Sequence, residues 1–520
     1  MVPPQADTTP LWGVDQLARI TGGSWLRRPS SAWDPSRVQT MLMANFVPTW
    51  MPRSIMFITR EETLERWFKD EEPPAEEPTG CVVVGRTLAD SPSLPRERAV
   101  LVVDELAGAL QALATAARQR HLGRAVAVTG SVGKTTSRRM LVHVLSAHGE
   151  VEMNYENWNL RAQVLERLAS VRPDMPFLVY EAGLGGPLNA LRAVSAALQP
   201  DVVQLTQLDA AHVDTITRRE ISYEDALKAV ADQKLQLCEH MAPDGVVVVN
   251  RDIPMFEYVR EKLAGRRVVT FGAGEEADFR LLDVEVGDVR NRVQAEAAGR
   301  SVTYELAVPG RFMAVNSVGS LASAVQLTGD AEGAAAALST FEAVPGRARV
   351  VPLTIGGAAI RLIDDSFNAT PLSVRSTLEL LQESRPGEGG RRIAILGDIA
   401  HLGTQSETVH AELAKVAEER GVDRVYTFGD QMRHLQEALP ARMAAGHFTD
   451  RRAMVDAIVA DVRAGDVLTA KASYPVRFDL VVTMLVQAQD APERPAAAEA
   501  PQAGKAEPGR RRRFGPVWRA

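Results

Sequence analysis

A short glycine-bearing loop between an apolar strand and a helix is the segment of this sequence best suited to chemistry. Residues Gly130 to Thr136 read G-S-V-G-K-T-T and follow the apolar run Ala125 to Val128. Glycines in such a loop let backbone N–H groups turn inward around phosphate oxygens, Lys134 can reach β- and γ-phosphates, and Thr135 can place its hydroxyl on Mg²⁺. Only two residues separate the glycines, whereas the full Walker pattern has four. The flanking strand and helix favour a nucleotide-phosphate loop over an ordinary strand-to-helix turn.

Length and composition predict a multidomain globular protein. At 520 residues the chain is too long for a single core, and about three domains are expected. The net charge of −7 gives no sign of a nucleic-acid-binding body. Two widely separated cysteines, Cys81 and Cys238, are typical of a reducing cytoplasm without disulfides or a cysteine zinc site. No signal peptide and no apolar run near the roughly 20 residues of a membrane span are recognised, so we expect a cytoplasmic protein.

Strand and helix patterns divide the chain into three predicted α/β domains and a tail. Residues 1–105 predict a small N-terminal α/β domain, and the family resemblance given below implies that it binds the acyl substrate. Residues 106–345 contain the phosphate loop and are predicted to form a central ATP-binding domain. Strongly apolar runs of the kind found in buried parallel strands recur there. Residues 346–490 predict a C-terminal, doubly wound, Rossmann-like domain whose functional loops lie at the carboxyl ends of its strands. Residues 491–520 predict a disordered basic tail, either solvated without a role or in contact with anionic lipid or a partner.

The predicted strands of these domains fall at specific apolar runs. In the first domain they are 54–59 and 81–85; in the central domain 125–128, 177–183, 202–208, 245–250 and 267–272. Residues 277–306 alternate more strictly and predict a few antiparallel strands.

Further segments follow the phosphate loop in a fixed order, and together they resemble the Mur ligases, which add amino acids to the peptidoglycan precursor at the expense of ATP. The resemblance covers about residues 102 to 482, is greatest for the subgroup that adds D-alanyl-D-alanine, and is faint over the first hundred residues. The family's loop is G-S-x-G-K-T-[ST], which Gly130 to Thr136 match. The resemblance implies a three-domain α/β, ADP-forming ligase that activates a carboxylate as an acyl phosphate for attack by an amine.

The resemblance also implies a site for two Mg²⁺ ions, held by Thr135, Glu181, His212 and Lys234. Glu181 stands in E-A-G, where the family has Glu-x-Gly after a strand, and His212 ends T-Q-L-D-A-A-H, where the family has T-N-x-G-P-A-H. Lys234 corresponds to a lysine that the family carbamylates, with Gln236 in place of the usual glutamate. A carbamate converts a cation into an anionic metal ligand. Without the family resemblance, Glu181 is equally well explained as a loop carboxylate, His212 as a structural histidine and Lys234 as a solvated helix lysine.

Catalytic and nucleotide-binding roles follow from the same resemblance. It implies catalytic roles for Lys134, Lys234, His212 and Glu181. It implies nucleotide contacts by Gly130, Ser131, Gly133, Lys134, Thr135 and Thr136 of the loop, Asn250 and Asp252 of an N-x-D element, Arg347 near the hinge, and Asp365 and Asn368 of D-D-S-F-N-A-T-P. Read without the family, each acidic strand end is most often a cap or a turn.

Departures from the family concern elements that bear on its substrates. Gly310 to Met313 reads G-R-F-M where the family has G-x-H-N, and His401 and Ala472 replace a glutamate and a glycine. The D-S-R element and the glycine-rich loop that bind the UDP-sugar in the family are missing. Ser36-Arg37 resembles the D-S-R element only weakly.

Aromatic and methionine residues are concentrated in the same part of the first domain. They are Trp25, Trp33, Trp50, Met41, Met43, Met51 and Met56. This composition is compatible with an apolar pocket for another substrate or, alternatively, with the core of the domain.

The sequence therefore predicts an ATP-dependent amide ligase acting on a small carboxylate and a small amine. We expect its acyl substrate to differ from the standard UDP-muramyl tripeptide; a genuine D-alanyl-D-alanine-adding enzyme and a non-catalytic nucleotide-binding scaffold are the alternatives. A motor or signalling NTPase is disfavoured, because the strand F-L-V-Y-E-A-G ends in glutamate and glycine rather than a Walker B aspartate. No nucleic acid and no firm membrane contact are expected; a monomer is favoured, although the sequence does not determine the oligomeric state.

Overall fold

Three mostly parallel β-sheets follow one another along the chain. The computed structural model describes residues 10–40, 53–68, 78–155, 158–185, 187–209 and 221–489. Within these ranges the sheets have five, nine and six strands. The predicted α/β class with three sheets is confirmed, while the exact boundaries at 105/106 and 345/346 stay a prediction.

The first sheet has the order β1-β5-β4-β3-β2, and only the β1–β5 pair is antiparallel. Its elements are α1 Val14–Thr21, β1 Ser24–Arg27, β2 Arg37–Thr40, β3 Ser54–Ile58, α2 Glu61–Phe68, β4 Cys81–Gly85 and β5 Ala99–Val103. Strands β3 and β4 are almost wholly buried, as their unbroken apolar sequences predict.

The second sheet has the order β14-β13-β12-β11-β10-β9-β6-β8-β7, parallel from β7 to β12 and then antiparallel. Its strands are β6 Arg124–Thr129, β7 Val151–Met153, β8 Phe177–Glu181, β9 Val202–Leu205, β10 Val246–Asn250, β11 Arg267–Gly272, β12 Phe279–Val286, β13 Asn291–Ala297 and β14 Arg300–Leu306. Its helices are α3 Leu106–Arg120, α4 Lys134–Leu145, α5 Arg161–Ala169, α6 Ala190–Leu198, α7 Tyr223–Leu235, α8 Phe256–Lys262, α9 Arg311–Thr328 and α10 Ala331–Leu338. The antiparallel strands predicted in 277–306 are confirmed.

The third sheet has the order β15-β16-β20-β17-β18-β19 and is parallel except for β15. Its strands are β15 Arg349–Ile355, β16 Ala358–Asp364, β17 Arg392–Gly397, β18 Arg424–Phe428, β19 Ala444–Phe448 and β20 Val467–Lys471. Its helices are α11 Pro371–Glu383, α12 Ser406–Glu419, α13 Met432–Ala438, α14 Arg451–Asp461 and α15 Asp479–Gln487.

Two predicted strands of the central domain extend too far. The runs 177–183 and 202–208 leave the sheet at Glu181 and Leu205. Their remaining residues form loops at the carboxyl edge of the sheet, where ligands bind in open α/β folds. Periodicity alone does not separate the last strand residues from the loop that follows.

The N-terminal domain packs against the central domain through Trp12. This side chain is fully buried, and its Nε1 donates to the carbonyl of Ala169 at the end of α5, 2.9 Å away. The Arg120 guanidinium lies 3.8 Å from the centre of the indole ring. The amide of Val38 in β2 donates to Ser170 Oγ at 2.9 Å. The two domains thus pack against each other through one shared apolar core.

Two of the tryptophans proposed for an apolar pocket pack in the domain core. Trp25 and Trp33 meet edge to face with ring centroids 5.9 Å apart, and Trp33 Nε1 donates to the carbonyl of Trp12 at 2.6 Å. Both rings pack against the shared core, and Met56 is fully buried. These positions support the core alternative. Trp50, the other three methionines of that segment and the predicted basic tail lie outside the described residues.

No helix in the described ranges combines the length and apolarity that crossing a bilayer requires.

Replacing Trp12 by alanine should destabilise the N-terminal domain. Removal of a fully buried aromatic side chain costs about 3–5 kcal/mol, because the cavity left behind collapses only in part. Urea unfolding measures the loss, and Leu122→Ala, at a side chain that is 89% exposed, is the control that should change stability by less than about 0.5 kcal/mol. A loss below about 1 kcal/mol for Trp12→Ala would show that the shared core does not depend on this ring.

Candidate active site

The loops at the carboxyl ends of the central and C-terminal sheets enclose one cavity. Its volume is about 140 Å³. The central domain contributes residues 131–136, Glu181 and residues 309–313, and the C-terminal side contributes Arg347, Asp365, Asn368 and Lys471. The structure therefore brings together residues that lie more than 300 positions apart in the sequence.

The phosphate loop requires glycine at two positions. Gly130 has φ +151°, and a Cβ there would lie 2.0 Å from Thr206 Oγ1. Gly133 has φ +88°, and a Cβ there would lie 2.7 Å from Asn316 Oδ1. The Thr206 hydroxyl donates to the carbonyl of Val132 at 2.6 Å. The end of β9 and helix α9 thus hold the loop closely from both sides.

The segment after β9 makes further contacts with this loop. The amide of Ser131 donates to the carbonyl of Gln207 at 2.6 Å, and its hydroxyl donates to the carbonyl of Asp209 at 3.0 Å. Thr206 to Asp209 is the described part of the segment that ends at His212, which itself lies outside the described residues. The role predicted for His212 therefore stays a prediction.

Helix α4 begins at Lys134 and directs its first amides toward the cavity. Its N-cap residue is Gly133, so no N-cap side chain accepts from the first-turn N–H groups. These N–H groups and the positive end of the helix dipole are therefore suited to an anion. Lys134 Nζ donates to the carbonyl of Ser131 at 3.1 Å. Burial lowers the pKa of Lys134, and the nearby Glu181 carboxylate opposes this shift. Lys134 is thus held folded over the loop, as a phosphate contact requires.

Glu181, the last residue of β8, is held at both carboxylate oxygens. Thr135 Oγ1 donates to Oε2 and Asn159 Nδ2 to Oε1, each at 2.7 Å. Arg138 Nε lies 4.0 Å from Oε2, and both side chains are almost completely buried. A carboxylate so placed keeps one orientation at the edge of the cavity, beside the first turn of α4.

The donor set at this edge fits Mg²⁺ and not a closed protein cage. Among the described residues, no three His, Cys, Asp or Glu side chains gather as a metal cluster. Mg²⁺ is usually held by one or two carboxylates, with substrate phosphates and water completing its shell. Thr135 and Glu181 meet that requirement beside the phosphate loop.

Lys234 lies directly behind the phosphate loop. It is 2% exposed in α7, and its Nζ donates to the carbonyl of Gly130 at 2.8 Å. Burial holds the pKa of Lys234 well below its usual value, and the charge of Lys134 lowers it further. A lowered pKa favours the neutral amine, which is the form that reacts with CO₂ to give a carbamate. The solvated-lysine alternative does not apply, because this side chain is buried.

The C-terminal side of the cavity adds a second group of charges. The Arg347 guanidinium lies 4.1 Å from the centre of the Phe367 ring, and burial lowers its pKa. Asp365 Oδ2 accepts from Lys471 Nζ and from Thr377 Oγ1, each at 2.5 Å. The amide of Tyr474 donates to Asn368 Oδ1 at 3.1 Å. Arg347, Asp365 and Asn368 thus border the cavity, and their contact with a nucleotide stays a prediction.

Asn250 and Asp252 lie at the end of β10 and make local hydrogen bonds. Asn250 Oδ1 accepts from the amide of Asp252 at 2.9 Å. The Asp252 carboxylate accepts from the amides of Ala273 and Gly274 at 2.6 and 3.0 Å. Neither Asn250 nor Asp252 is among the described residues that line the cavity. Their contact with a nucleotide stays a prediction.

Sequence reasoning missed three polar residues that build this site: Arg138, Asn159 and Asn316. Asn316 is 2% exposed, and its Nδ2 has no hydrogen-bond partner although the side chain lies against Gly133. The detectable signal is a single asparagine within the apolar helix α9, because a buried amide needs a partner. Arg138 and Asn159 contact Glu181 from other elements, so no local pattern marks them.

A second cavity of about 170 Å³ adjoins the first. Both are lined by Asn368, and the second also contacts His401, Ser473 and Tyr474. His401, which replaces the family's glutamate, has φ +63°, a conformation that is uncommon for residues other than glycine. The C-terminal domain therefore offers a separate small compartment beside the nucleotide cavity.

Comparison with known protein families identifies the family of this chain. Residues 128–324 match the Mur ligase middle domain, and residues 346–474 match the Mur ligase, glutamate ligase domain. The two matches together cover more than half of the chain. The chain belongs to the Mur ligase family. It is an ATP-dependent acid–amino acid ligase whose substrates are small molecules.

Relatives with assigned activities are similar along most of the chain. The UDP-N-acetylmuramoyl-tripeptide–D-alanyl-D-alanine ligase of Bacillus subtilis is 26% identical over 399 residues, which are 76% of this chain and 83% of that protein. The Escherichia coli enzyme of the same name is 27% identical over 72% of this chain and 78% of its own length.

Solved Mur ligase structures share this fold, including the first domain. MurF from Acinetobacter baumannii superposes with a TM-score of 0.76 at 20% identity, covering 92% of this chain and 99% of that one. The MurF ligase of Thermotoga maritima, solved with ADP, gives a TM-score of 0.70 at 20% identity over 88% and 99% of the two chains. Members of the family thus bind adenine nucleotide on this architecture.

Substituting Gly130 by alanine should weaken ATP binding at least tenfold while the protein stays folded. The new Cβ would overlap Thr206 Oγ1, and the loop must shift to relieve the clash. Titration calorimetry with Mg-ATP measures the affinity. Gly85→Ala is the matched control, because its Cβ would meet nothing closer than 3.9 Å. Wild-type affinity in Gly130→Ala would rule out this loop geometry.

Proposed function

We propose that this Mur ligase phosphorylates a substrate carboxylate with ATP and transfers the resulting acyl group to an amine. One observation carries the proposal: the phosphate loop, Glu181 and the pair Asp365–Lys471 of the other domain border the same cavity.

In the first step, a carboxylate oxygen attacks the γ-phosphorus of ATP, and ADP leaves. The protein has to align the two groups and offset their charges. Lys134 and the first amides of α4 bind the phosphates, while Arg347 approaches from the C-terminal side. Thr135, Glu181, His212 and a carbamate on Lys234 would hold two Mg²⁺ ions, which when bound neutralise charge on phosphate and carboxylate oxygens.

In the second step, the neutral amine attacks the acyl carbon and inorganic phosphate leaves. Water would hydrolyse an acyl phosphate, so closure of the C-terminal domain protects it. Asn368 and Asp365 contact the nucleotide in the closed form, and Asn250 and Asp252 contact it from the central domain. The compartment at His401 and Tyr474 adjoins this point and suits the incoming amine.

The acyl substrate is proposed to differ from the standard UDP-muramyl tripeptide. This rests on the missing D-S-R element and glycine-rich loop of the first domain and on the replaced positions at Phe312, Met313 and His401. A genuine D-alanyl-D-alanine-adding activity is the alternative, favoured by relatives of that name along three quarters of the chain. A non-catalytic scaffold is the second alternative, motivated by the same replacements.

We infer further that residues 1–105, 106–345 and 346–490 act as acyl-substrate, ATP-binding and ligase domains. The buried thiols of Cys81 and Cys238 are unpaired, which supports a reducing cytoplasm. A monomer is proposed as the active form.

Phosphate release with different substrate pairs distinguishes these activities. The proposal expects turnover with an acyl donor from a panel of carboxylates and amino acids, and little with UDP-muramyl tripeptide plus D-alanyl-D-alanine. Faster turnover with the latter pair establishes the peptidoglycan alternative. ATP binding without ADP formation on any pair would contradict a ligase and establish the scaffold.

Replacing Lys134 by alanine should reduce ATP turnover about 100-fold or more without unfolding the protein. The loss reflects the missing charge on the transferred phosphoryl group. Coupled ADP release measures the rate, and circular dichroism checks the fold. Lys415→Ala, at a side chain that is 82% exposed, should remain fully active. Retained turnover in Lys134→Ala would refute its assignment.

Replacing Lys234 by alanine should abolish ligation, and the lost activity should be open to chemical rescue. Added short-chain carboxylic acids should restore part of the activity, because they replace the anionic carbamate near the metal ions. The control is Lys228→Ala on the same helix, whose side chain pairs with exposed Glu224 at 2.7 Å and should not affect turnover. Full activity of Lys234→Ala without additives would refute a carbamate ligand.

A further inference from the structure

We propose that His410 is a positioning residue for the amine compartment, the second cavity of about 170 Å³ lined by residues 400–402, Ser473 and Tyr474. The neutral ring of this histidine holds one wall of the compartment in place, and protonation of the ring releases it. This inference rests on the proposed function, in which the compartment receives the incoming amine, and it adds a pH-sensitive control of amine binding.

The His410 side chain is fully buried in α12, and both of its ring nitrogens make hydrogen bonds. Nε2 accepts from the amide of Ile399 at 3.1 Å, and Nδ1 lies 2.7 Å from the carbonyl oxygen of Ser406. Because a carbonyl oxygen can only accept, Nδ1 carries the proton and Nε2 presents a lone pair. Only the neutral ring with its proton on Nδ1 satisfies both contacts.

Ile399 lies in the segment that leaves β17 and becomes the compartment wall. The amide of the next residue, Ala400, donates to Ser473 Oγ at 2.8 Å. The amide of Ser473 donates in turn to the carbonyl of Asp398 at 3.0 Å. The segment is therefore held to the end of β20 on one side and to His410 of α12 on the other.

The wall itself consists of residues 400–402, all of which line the compartment. Its middle residue, His401, has φ +63°. A residue with a side chain keeps such a conformation only where its surroundings hold it. Loss of the hydrogen bond between Ile399 and His410 removes one of these restraints, so the wall shifts and the amine binds more weakly.

Protonation of His410 breaks this hydrogen bond. The second ring proton would lie on Nε2 and face the N–H of Ile399, so that two donors would oppose each other. Burial is the main cause that lowers the pKa of His410; the hydrogen bond to Ser406 and the charge of Asp398 oppose this shift, and His434 on α13 lowers the pKa further. The ring is therefore neutral at neutral pH and becomes protonated only in more acidic solution than an exposed histidine.

Replacing His410 by leucine and by glutamine tests the positioning role. Leucine removes the acceptor for the Ile399 amide and should raise the KM for the amine at least about fivefold, while the KM for ATP changes less than about twofold. Glutamine supplies an oxygen near the position of Nε2 and should recover most of the loss. The matched control is His148→Leu, at a partly exposed histidine of the central domain, which should behave as wild type.

The pH dependence of the amine KM is a readout that a purely structural histidine would not move. From about pH 8 to about pH 5, the KM of the wild type should rise more steeply than that of His410→Gln, because only the wild-type side chain can be protonated in this range. Protonation of the amine itself affects both proteins equally, so the ratio of the two KM values isolates His410.

Nitrogen-15 NMR of the histidine-labelled full chain is a readout that does not depend on turnover. The His410 signal, assigned by its loss in His410→Gln, should report a neutral ring with its proton on Nδ1 at neutral pH.

The amine probes are D-alanyl-D-alanine and free amino acids, each paired with the acyl donor that gives turnover in the phosphate-release screen. An amine KM within about twofold of wild type in His410→Leu would overturn the positioning role, as would a ring protonated on Nε2 or a KM ratio that is constant across pH. Absence of turnover with every substrate pair in the wild type would instead refute the proposed ligase function, and the role of His410 in amine binding with it.

Discussion

The buried carboxylate of Glu181 is the charge around which the basic side chains of the site are arranged. The charges of Lys134, Arg138, Lys234 and Arg347 each interact favourably with it, and burial opposes the charged form of every one of them. Buried charges are tolerated only when they are compensated. Lys134, Arg347 and the first amides of α4 lie together beside the phosphate loop, which suits that part of the cavity to an anionic ligand. The triphosphate of ATP is the anion proposed to bind there.

The C-terminal domain completes the site through contacts that fix its approach. Asp364 at the end of β16 accepts from the amide of Gly346 at 2.8 Å, which ties the hinge segment to the third sheet. Its neighbour Asp365 is held by Lys471 on β20. Away from the cavity, Asp288 at the β12–β13 hairpin forms an ion pair with Arg361. Apolar side chains of the central and C-terminal domains also belong to one hydrophobic cluster, so the two domains pack through both polar and apolar contacts.

The N-terminal domain keeps the fold of its family although its sequence departs from the family's. A solved relative superposes over 92% of this chain at 20% identity, although the motif that binds the UDP-sugar cannot be found in the sequence. Burial constrains the interior strands, because apolar side chains of similar volume substitute for one another there. A binding surface carries no such constraint, so its residues can be replaced while the fold is kept.

The sequence by itself determined the phosphate loop, the strands that bracket it, the three-sheet architecture and the family. These are local patterns: apolar runs, glycine positions and strand ends whose meaning needs no partner. Edge strands such as β1, β7 and β19 escaped detection because they are short and only partly buried. Only the tertiary structure showed that Lys234 is buried against Gly130, that Arg138, Asn154 and Asn159 orient Glu181, and that Arg37 reaches Tyr155 of another domain. Side-chain burial and charge compensation are set by residues distant in the chain, and no local pattern encodes them.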